Sequence, residues 1–302
     1  MGSRTEITVY APDEATAFRG TRAAFDRLRE LEDVMTDYRE DSELMRLCAE
    51  QSGTPVEVSD DLWRVLKAAD AMARSTDGRF DHTVGPIVQL WRRASTTSIR
   101  PDEEAWRDAF QSVGWHRVEF DDGAQRITML APSMRLDLGG IGKGFAADEA
   151  VRVLDAHGLP RCLVNLGGDI VAGDAPPGQA GWRVSTDPIN GAKPVSAWVR
   201  RDAIATSGDR YRTVIIDGTR YAHLIDPRTG QPLRRSFEVT VRGPDGATAD
   251  AWASAWSVAG PDDDLEAVAR RSDVSVRIRW VEGDEVRNWH GGAGAGAWGA
   301  EP

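Results

Sequence analysis

The segment Leu136 to Asp148 reads Leu-Asp-Leu-Gly-Gly-Ile-Gly-Lys-Gly-Phe-Ala-Ala-Asp, and it constrains the fold more than any other stretch of the chain. An apolar, strand-like run ends in a carboxylate, Asp137. Gly139, Gly140, Gly142 and Gly144 follow, with Lys143 among them, and a helical pattern then begins. Glycine has no Cβ, so backbone N–H groups can approach a ligand or a second backbone closely. A helix N-terminus adds partial positive charge. Strand, glycine turn, lysine and helix together would cradle a phosphate. The plainer alternative is a glycine turn that joins strand to helix and binds nothing. The Gly-x-x-x-x-Gly-Lys-Ser/Thr spacing of a Walker loop is absent. A Rossmann fingerprint needs a surrounding βαβ repeat, and none is visible.

The chain has 302 residues, enough for one large domain or two modest ones. A hydrophobic content of 41 % supports a globular core. The net charge of −11 argues against a nonspecific nucleic-acid binder, which needs a basic surface. No run of about 18 apolar residues marks a membrane span. Cys48 and Cys162 are far apart and lack zinc-ligand spacing, so they read as small buried hydrophobes.

Alternation over Glu6 to Tyr10 predicts a strand. Helical spacing of Phe18, Phe25, Leu28, Leu31 and Met35 predicts a helix over Ala15 to Met35. Leu62, Val65, Leu66, Ala69 and Met72 predict another over Asp60 to Ser75, capped by Ser59 or Asp60. Thr36 to Ser42 reads as a loop. Thr76 to Trp91 reads as a glycine- and proline-punctuated loop, and residues 92–116 as charged and partly helical. Val118 to Phe120 and Arg126 to Leu130 form a hairpin pattern. Phe145 to His157 is an expected helix ending at Gly158. Strands are expected over Cys162 to Leu166, Trp182 to Ser185, Ala203 to Ser207, Thr213 to Ile216, Glu238 to Arg242 and Val274 to Val281. Helices are expected over Ala249 to Ala259 and Asp262 to Arg271. Helices and strands do not alternate strictly, which favours an α+β domain over a doubly wound sheet.

Three further clusters carry polar residues. His223 precedes Leu224-Ile225 and the turn Asp226-Pro227-Arg228-Thr229-Gly230. A histidine held beside a rigid turn can serve as a general base; satisfying nearby backbone groups is the commoner fate of a lone histidine. Asp250 and Ser254 are four residues apart on one predicted helix face, and carboxylate plus hydroxyl suits a hard cation such as Mg²⁺. The alternative is a carboxylate near a helix start and a solvated serine. Thr206-Ser207-Gly208-Asp209 reads equally as a turn or a binding loop.

Taken in order, these pieces resemble one family. The set comprises Met1-Gly2-Ser3, Asp41-Ser42-Glu43-Leu44, Phe80-Asp81-His82-Thr83-Val84-Gly85-Pro86 with Trp91, and Leu136 to Gly144. It continues through Asn165-Leu166-Gly167-Gly168-Asp169, Thr206-Ser207-Gly208, His223 to Gly230 and Ala249-Asp250-Ala251. The chain looks like the ApbE family of FAD:protein FMN transferases over roughly residues 1–260.

The resemblance implies an ApbE-like, T-fold-related single catalytic domain over residues 1–290, with mixed or antiparallel sheets and packed helices. A Gly/Ala-rich, disordered tail is expected over 291–302. The implied reaction transfers FMN from FAD to a threonine or serine hydroxyl of an acceptor protein, with Mg²⁺, releasing AMP. Carried over by position, Asp250, Ser254 and the Gly140 carbonyl would hold the metal; Ser254 stands where the family usually has threonine. Asp137 and Lys143 would contact FAD, Met1, Tyr38, Phe80, Asp81, Leu224 and Ile225 would line the flavin nucleotide site, and His223 would be the base. The same residues would serve an FAD pyrophosphatase, and the Ser254 departure leaves room for a non-catalytic FAD-binding protein. The family's Met-Gly-Thr/Ser motif normally follows a leader. A leader ahead of Met1 would make the protein exported or membrane-tethered; otherwise it would be cytoplasmic. Asp245-Gly246-Ala247-Thr248 resembles a flavin acceptor context, against which stands a simple surface turn before a helix.

Overall fold

The computed structural model describes residues 4–185, 196–208, 213–260, 265–270, 272–282 and 285–293. The chain opens with β1 (Thr5–Val9), α1 (Glu14–Met35), α2 (Glu43–Ala49), β2 (Val56–Glu57) and α3 (Asp60–Ser75). Then come α4 (Gly85–Thr97), α5 (Glu103–Gln111), a 3-10 turn at Trp115–Arg117, β3 (Val118–Asp121), β4 (Arg126–Met129) and α6 (Gly142–Ala156). Strands follow: β5 (Cys162–Leu166), β6 (Asp169–Ala172), β7 (Trp182–Ser185), β8 (Ser196–Val199), β9 (Ala203–Gly208), β10 (Thr213–Ile216) and β11 (Thr219–Ala222). Next are β12 (Ile225–Asp226), β13 (Gln231–Pro232), β14 (Phe237–Gly243), α7 (Gly246–Ala259) and α8 (Leu265–Ala269). β15 (Ser275–Glu282) and β16 (Glu285–Gly292) end the described chain.

The main sheet has seven strands in the order β1-β5-β6-β9-β14-β15-β16, paired antiparallel throughout. The α+β expectation holds. Helices α6 and α7 lie against this sheet, and α1 packs on α6. α1 forms because Asp13 caps it, accepting from Thr16 N at 2.7 Å. Its residues Gly20, Ala24, Leu28, Leu31 and Met35 recur at helical spacing and are buried. α7 is apolar nearly all round, as a helix enclosed by other elements must be.

Bare backbone sets the spacing of α6 and α7. A Cβ on Gly144 would lie 2.0 Å from Gly246 O, and one on Gly246 would lie 2.5 Å from Gly144 O. The two helices therefore cross closer than any side chain would allow, which brings Lys143 of α6 within reach of Asp250 of α7.

Three expectations change. The segment leading into the glycine turn is not a strand: beyond a single bridge between Arg135 and Val84, Leu136 and Leu138 are buried, Leu136 N donates to Cys48 Sγ and Asp137 N to His82 O. The expected loop over Thr76 to Trp91 turns helical at Gly85, with Pro86 in the first turn, where its missing N–H costs nothing. The loop expected over Thr36 to Ser42 is a loop, and α2, for which the sequence pattern predicts no element, begins directly after it, capped by Ser42. Gly291 and Gly292 are the end of β16, and residues 294–302 of the expected tail lie outside the described residues. No described helix is long and apolar enough to cross a membrane.

Candidate active site

Lys143 occupies the first turn of α6, and its Nζ lies 3.1 Å from both carboxylate oxygens of Asp250. It also lies 2.5 Å from Asp169 Oδ2, at the start of β6. The Gly144 N–H donates to Asp250 Oδ2 at 3.2 Å. Burial works against the ammonium, but the Asp169 and Asp250 charges more than offset it and hold its pKa above the usual lysine range. One cation thus serves two carboxylates. Burial, and then the charge of Asp250, push Asp169 up to about 7, with Lys143 pulling the other way.

On α7, Asp250 is buried and Ser254, one turn on, is half-buried; the residues between them are buried. A Cβ on Gly140 would stand 2.8 Å from Ser254 Oγ and 3.3 Å from Phe80 Cε2. Gly140, Ser254 and Phe80 are therefore in contact, and only glycine fits at 140 without moving the hydroxyl. The donors expected to hold Mg²⁺ are a carboxylate, a hydroxyl and a carbonyl, all hard oxygen ligands. They adjoin a corner whose two carboxylates exceed its one ammonium, and an added cation suits that balance. Among the described residues no cluster of three or more His, Cys, Asp or Glu side chains forms a metal site, so a cation here would depend on the neutral oxygens of Gly140 and Ser254.

Asp137 lies just before the turn. Its Oδ1 accepts from Gly139 N at 2.7 Å, and its Oδ2 is 3.3 Å from an Arg92 nitrogen. Burial first, then the nearby Asp37 charge, raises its pKa, while Arg92 lowers it. Tyr38 follows α1 and is 74 % exposed, with the Arg92 guanidinium 4.5 Å from its ring centroid.

Asp81 lies where the chain turns towards α4, and its carboxylate braces that turn. It accepts from Thr83 N at 2.8 Å, Thr83 Oγ1 at 2.7 Å and Trp115 N at 3.0 Å. Neighbouring His82 is fully buried, and neither ring nitrogen has a hydrogen-bond partner among the described residues; burial pushes its pKa down.

His223 is exposed on the bend between β11 and β12. That bend is pinned on both sides, by Ala222 N donating to Leu233 O at 2.8 Å and Leu233 N donating to Leu224 O at 2.9 Å. Leu224 packs against the main core, whereas Ile225 belongs to a second hydrophobic cluster with Ile87, Trp91 and Tyr221. The pair thus fastens the histidine bend across two packed bodies. Met1 lies outside the described residues.

Two groups therefore assemble around the glycine turn: Lys143, Asp250, Ser254, Gly140 and Phe80 on one side, Asp137 and Tyr38 on the other. Sequence reasoning gave no role to Asp169, Asp37 or Arg92. Asp169 had a signal, the Gly-Gly-Asp turn after an apolar strand; Arg92 sat unmarked in a charged stretch. Thr248, the suggested flavin acceptor, lies in the first turn of α7, its N–H donated to Asp245 at 2.7 Å.

A sequence profile described as the ApbE family matches residues 1–278. An "FAD:protein FMN transferase" of Treponema pallidum (strain Nichols) is 34 % identical over 278 residues, 86 % of this chain and 77 % of that protein. One of the same description from Escherichia coli (strain K12) is 30 % identical over 272 residues, 85 % of this chain and 75 % of that one. Among solved structures, the flavinyl transferase ApbE of Pseudomonas stutzeri in its apo form superposes with a TM-score of 0.88 at 25 % identity, covering 100 % of this chain and 95 % of that one. The flavin transferase ApbE of Vibrio cholerae superposes at 0.85 with 28 % identity, covering 98 % and 95 %.

Proposed function

The chain belongs to the ApbE family, and from that premise we infer an enzyme that transfers flavin from FAD to protein. In its finer form the reading is Mg²⁺-dependent transfer of FMN to a threonine or serine hydroxyl, with AMP leaving. The observation that carries it is the half-buried Lys143 ammonium, held by Asp250 and Asp169 beside the glycine turn and the N-terminus of α6. A pyrophosphate needs its charge neutralised without bulk: the glycine-bounded helix start leaves the room and offers N–H groups, and the carboxylate excess around Lys143 would hold the cation that completes the neutralisation.

The phosphorus–oxygen bond between the FMN and AMP phosphates breaks, and a new one forms to the acceptor hydroxyl oxygen. Such transfers depend mainly on positioning and on neutralising charge. Mg²⁺, held by Asp250, Ser254 and the Gly140 carbonyl, would supply neutralisation of the pyrophosphate. Lys143 orients the phosphates. Half-buried Leu224 gives the flavin apolar surface, Phe80 and Ile225, buried in the two hydrophobic clusters, back the site, and Tyr38 and Asp137 lie next to the turn. His223 takes the proton from the incoming hydroxyl, and its exposure suits an acceptor arriving from outside.

The test is purified protein incubated with FAD and a peptide bearing an acceptor threonine, with and without Mg²⁺. AMP release together with a peptide mass increased by FMN is expected only with Mg²⁺. AMP and free FMN without an adduct, across several acceptor peptides, would replace the transferase by a pyrophosphatase. FAD that stays intact under every condition would leave a flavin-binding protein.

A further inference from the structure

Arg92 belongs to none of the groups assigned above, yet it touches two residues placed at the flavin nucleotide. One guanidinium nitrogen pairs with Asp37 Oδ2, another lies 3.3 Å from Asp137 Oδ2, and its Cζ stands 4.5 Å from the Tyr38 ring centroid. Both carboxylates are only 10 % exposed. Two acids so close and so dry repel one another unless a cation divides them. Arg135, which leads into the glycine segment, ties down the same loop by donating to Asp37 O at 2.8 Å.

The arrangement is more than a surface ion pair. The guanidinium forks between two carboxylates while its plane lies near an aromatic ring, a combination a lysine ammonium does not reproduce. Tyr38, 74 % exposed, would otherwise swing freely. Asp137's other oxygen is already bound to Gly139 N–H, so the fork connects the ring to the glycine turn. The packing of α4 does not require Arg92, because the buried face of that helix is Gly85, Ile87, Trp91 and Ala94.

We propose that Arg92 is a positioning residue for the dinucleotide: it fixes the Tyr38 ring as a stacking platform for a planar heterocycle and sets the Asp137 carboxylate beside it. This rests on the flavin reading above.

The test measures FAD affinity of the full chain by calorimetry without Mg²⁺, and steady-state AMP release with it. The variants are Arg92→Ala, Arg92→Lys, Tyr38→Leu and the Arg92→Ala/Tyr38→Leu double variant, with thermal stability checked for each. Arg92→Ala is expected to raise the FAD Kd and KM about tenfold with kcat at saturating FAD little changed, and to lower thermal stability because Asp37 and Asp137 are left facing each other; the protein stays folded at the assay temperature. Arg92→Lys keeps the charge but not the fork, and recovers only part of the loss. Because Arg92 acts through Tyr38, the double variant should lose much less than the sum of the single losses. Unchanged Kd in Arg92→Ala, an effect confined to kcat, or fully additive losses would each overturn the assignment and leave the flavin reading standing. A wild-type chain that binds no FAD would overturn both.

Discussion

Gly144 and Gly246 are the reason a lysine on one helix and an aspartate on another can meet. Their mutual approach leaves no room for a Cβ, because each would strike the other's carbonyl rather than a movable side-chain tip. Gly144→Ala should therefore force α6 and α7 apart, at a cost of roughly 1–3 kcal/mol. It should also lengthen the Lys143–Asp250 contact. Urea unfolding read beside FAD affinity checks both, and a Gly144→Ala protein with wild-type values for the two would show that the crossing tolerates a methyl group. The same residues explain how the site could be read before the structure was seen. Lys143 lies among glycines, and Asp250 and Ser254 share a helical spacing, so local pattern marks all three. Arg92 carried no such mark. Its partners Asp37 and Asp137 are 55 and 45 residues away in sequence, and nothing in a charged stretch says which carboxylate a given arginine will meet.

At the scale of elements, legibility followed the caps. α3 was readable to its ends because Ser59 caps it, accepting from Leu62 N at 3.3 Å, and because an apolar face repeats along it. α4 was not, since its start, Val84-Gly85-Pro86, has no side-chain cap and looks like loop punctuation. The strand expected at Leu136 failed for a different reason: apolar alternation reports burial, and an irregular segment packed on the core also alternates. α7 was placed three residues late, because its N-terminus is held by groups near and far in sequence. Asp245 accepts from Thr248 N at 2.7 Å, while Asp148 of α6 accepts from Gly246 N at 2.7 Å and Ala247 N at 3.0 Å. The local cap predicts that Asp245→Ala costs about 1 kcal/mol. Thermal denaturation should show a lowered midpoint with the folded-state circular dichroism intact. A midpoint equal to wild type would mean that Asp148 alone suffices to hold the helix start.

For the whole molecule, the proposed site would draw on two packed bodies. The main core carries Lys143 and Asp250, the second cluster carries Ile225, and Leu224 reaches back to the first. The α6–α7 junction in the main core bears on global stability as well as on the proposed site, and Asp148 makes that stability depend on pH. Burial pushes its carboxyl up to about 7 from the usual 3.8, although the Gly246 and Ala247 N–H groups pull the other way. Between those two values the folded chain holds a proton that the unfolded chain has released. Stability from this group is thus present at low pH and is lost as pH rises towards 7. Asp61, Glu149 and Asp174 are shifted down, so they act in the opposite sense at lower pH. Comparing wild type with Asp148→Asn cancels those contributions, because asparagine keeps an acceptor for the helix start and cannot titrate. The unfolding free energy of wild type relative to Asp148→Asn should fall by on the order of 2 kcal/mol between pH 4.5 and pH 7.5. Denaturant titrations at half-unit pH steps would measure the difference. A difference that stays flat across that window would mean that Asp148 is already ionised at the α7 N-terminus, with the helix dipole and two N–H groups outweighing its burial.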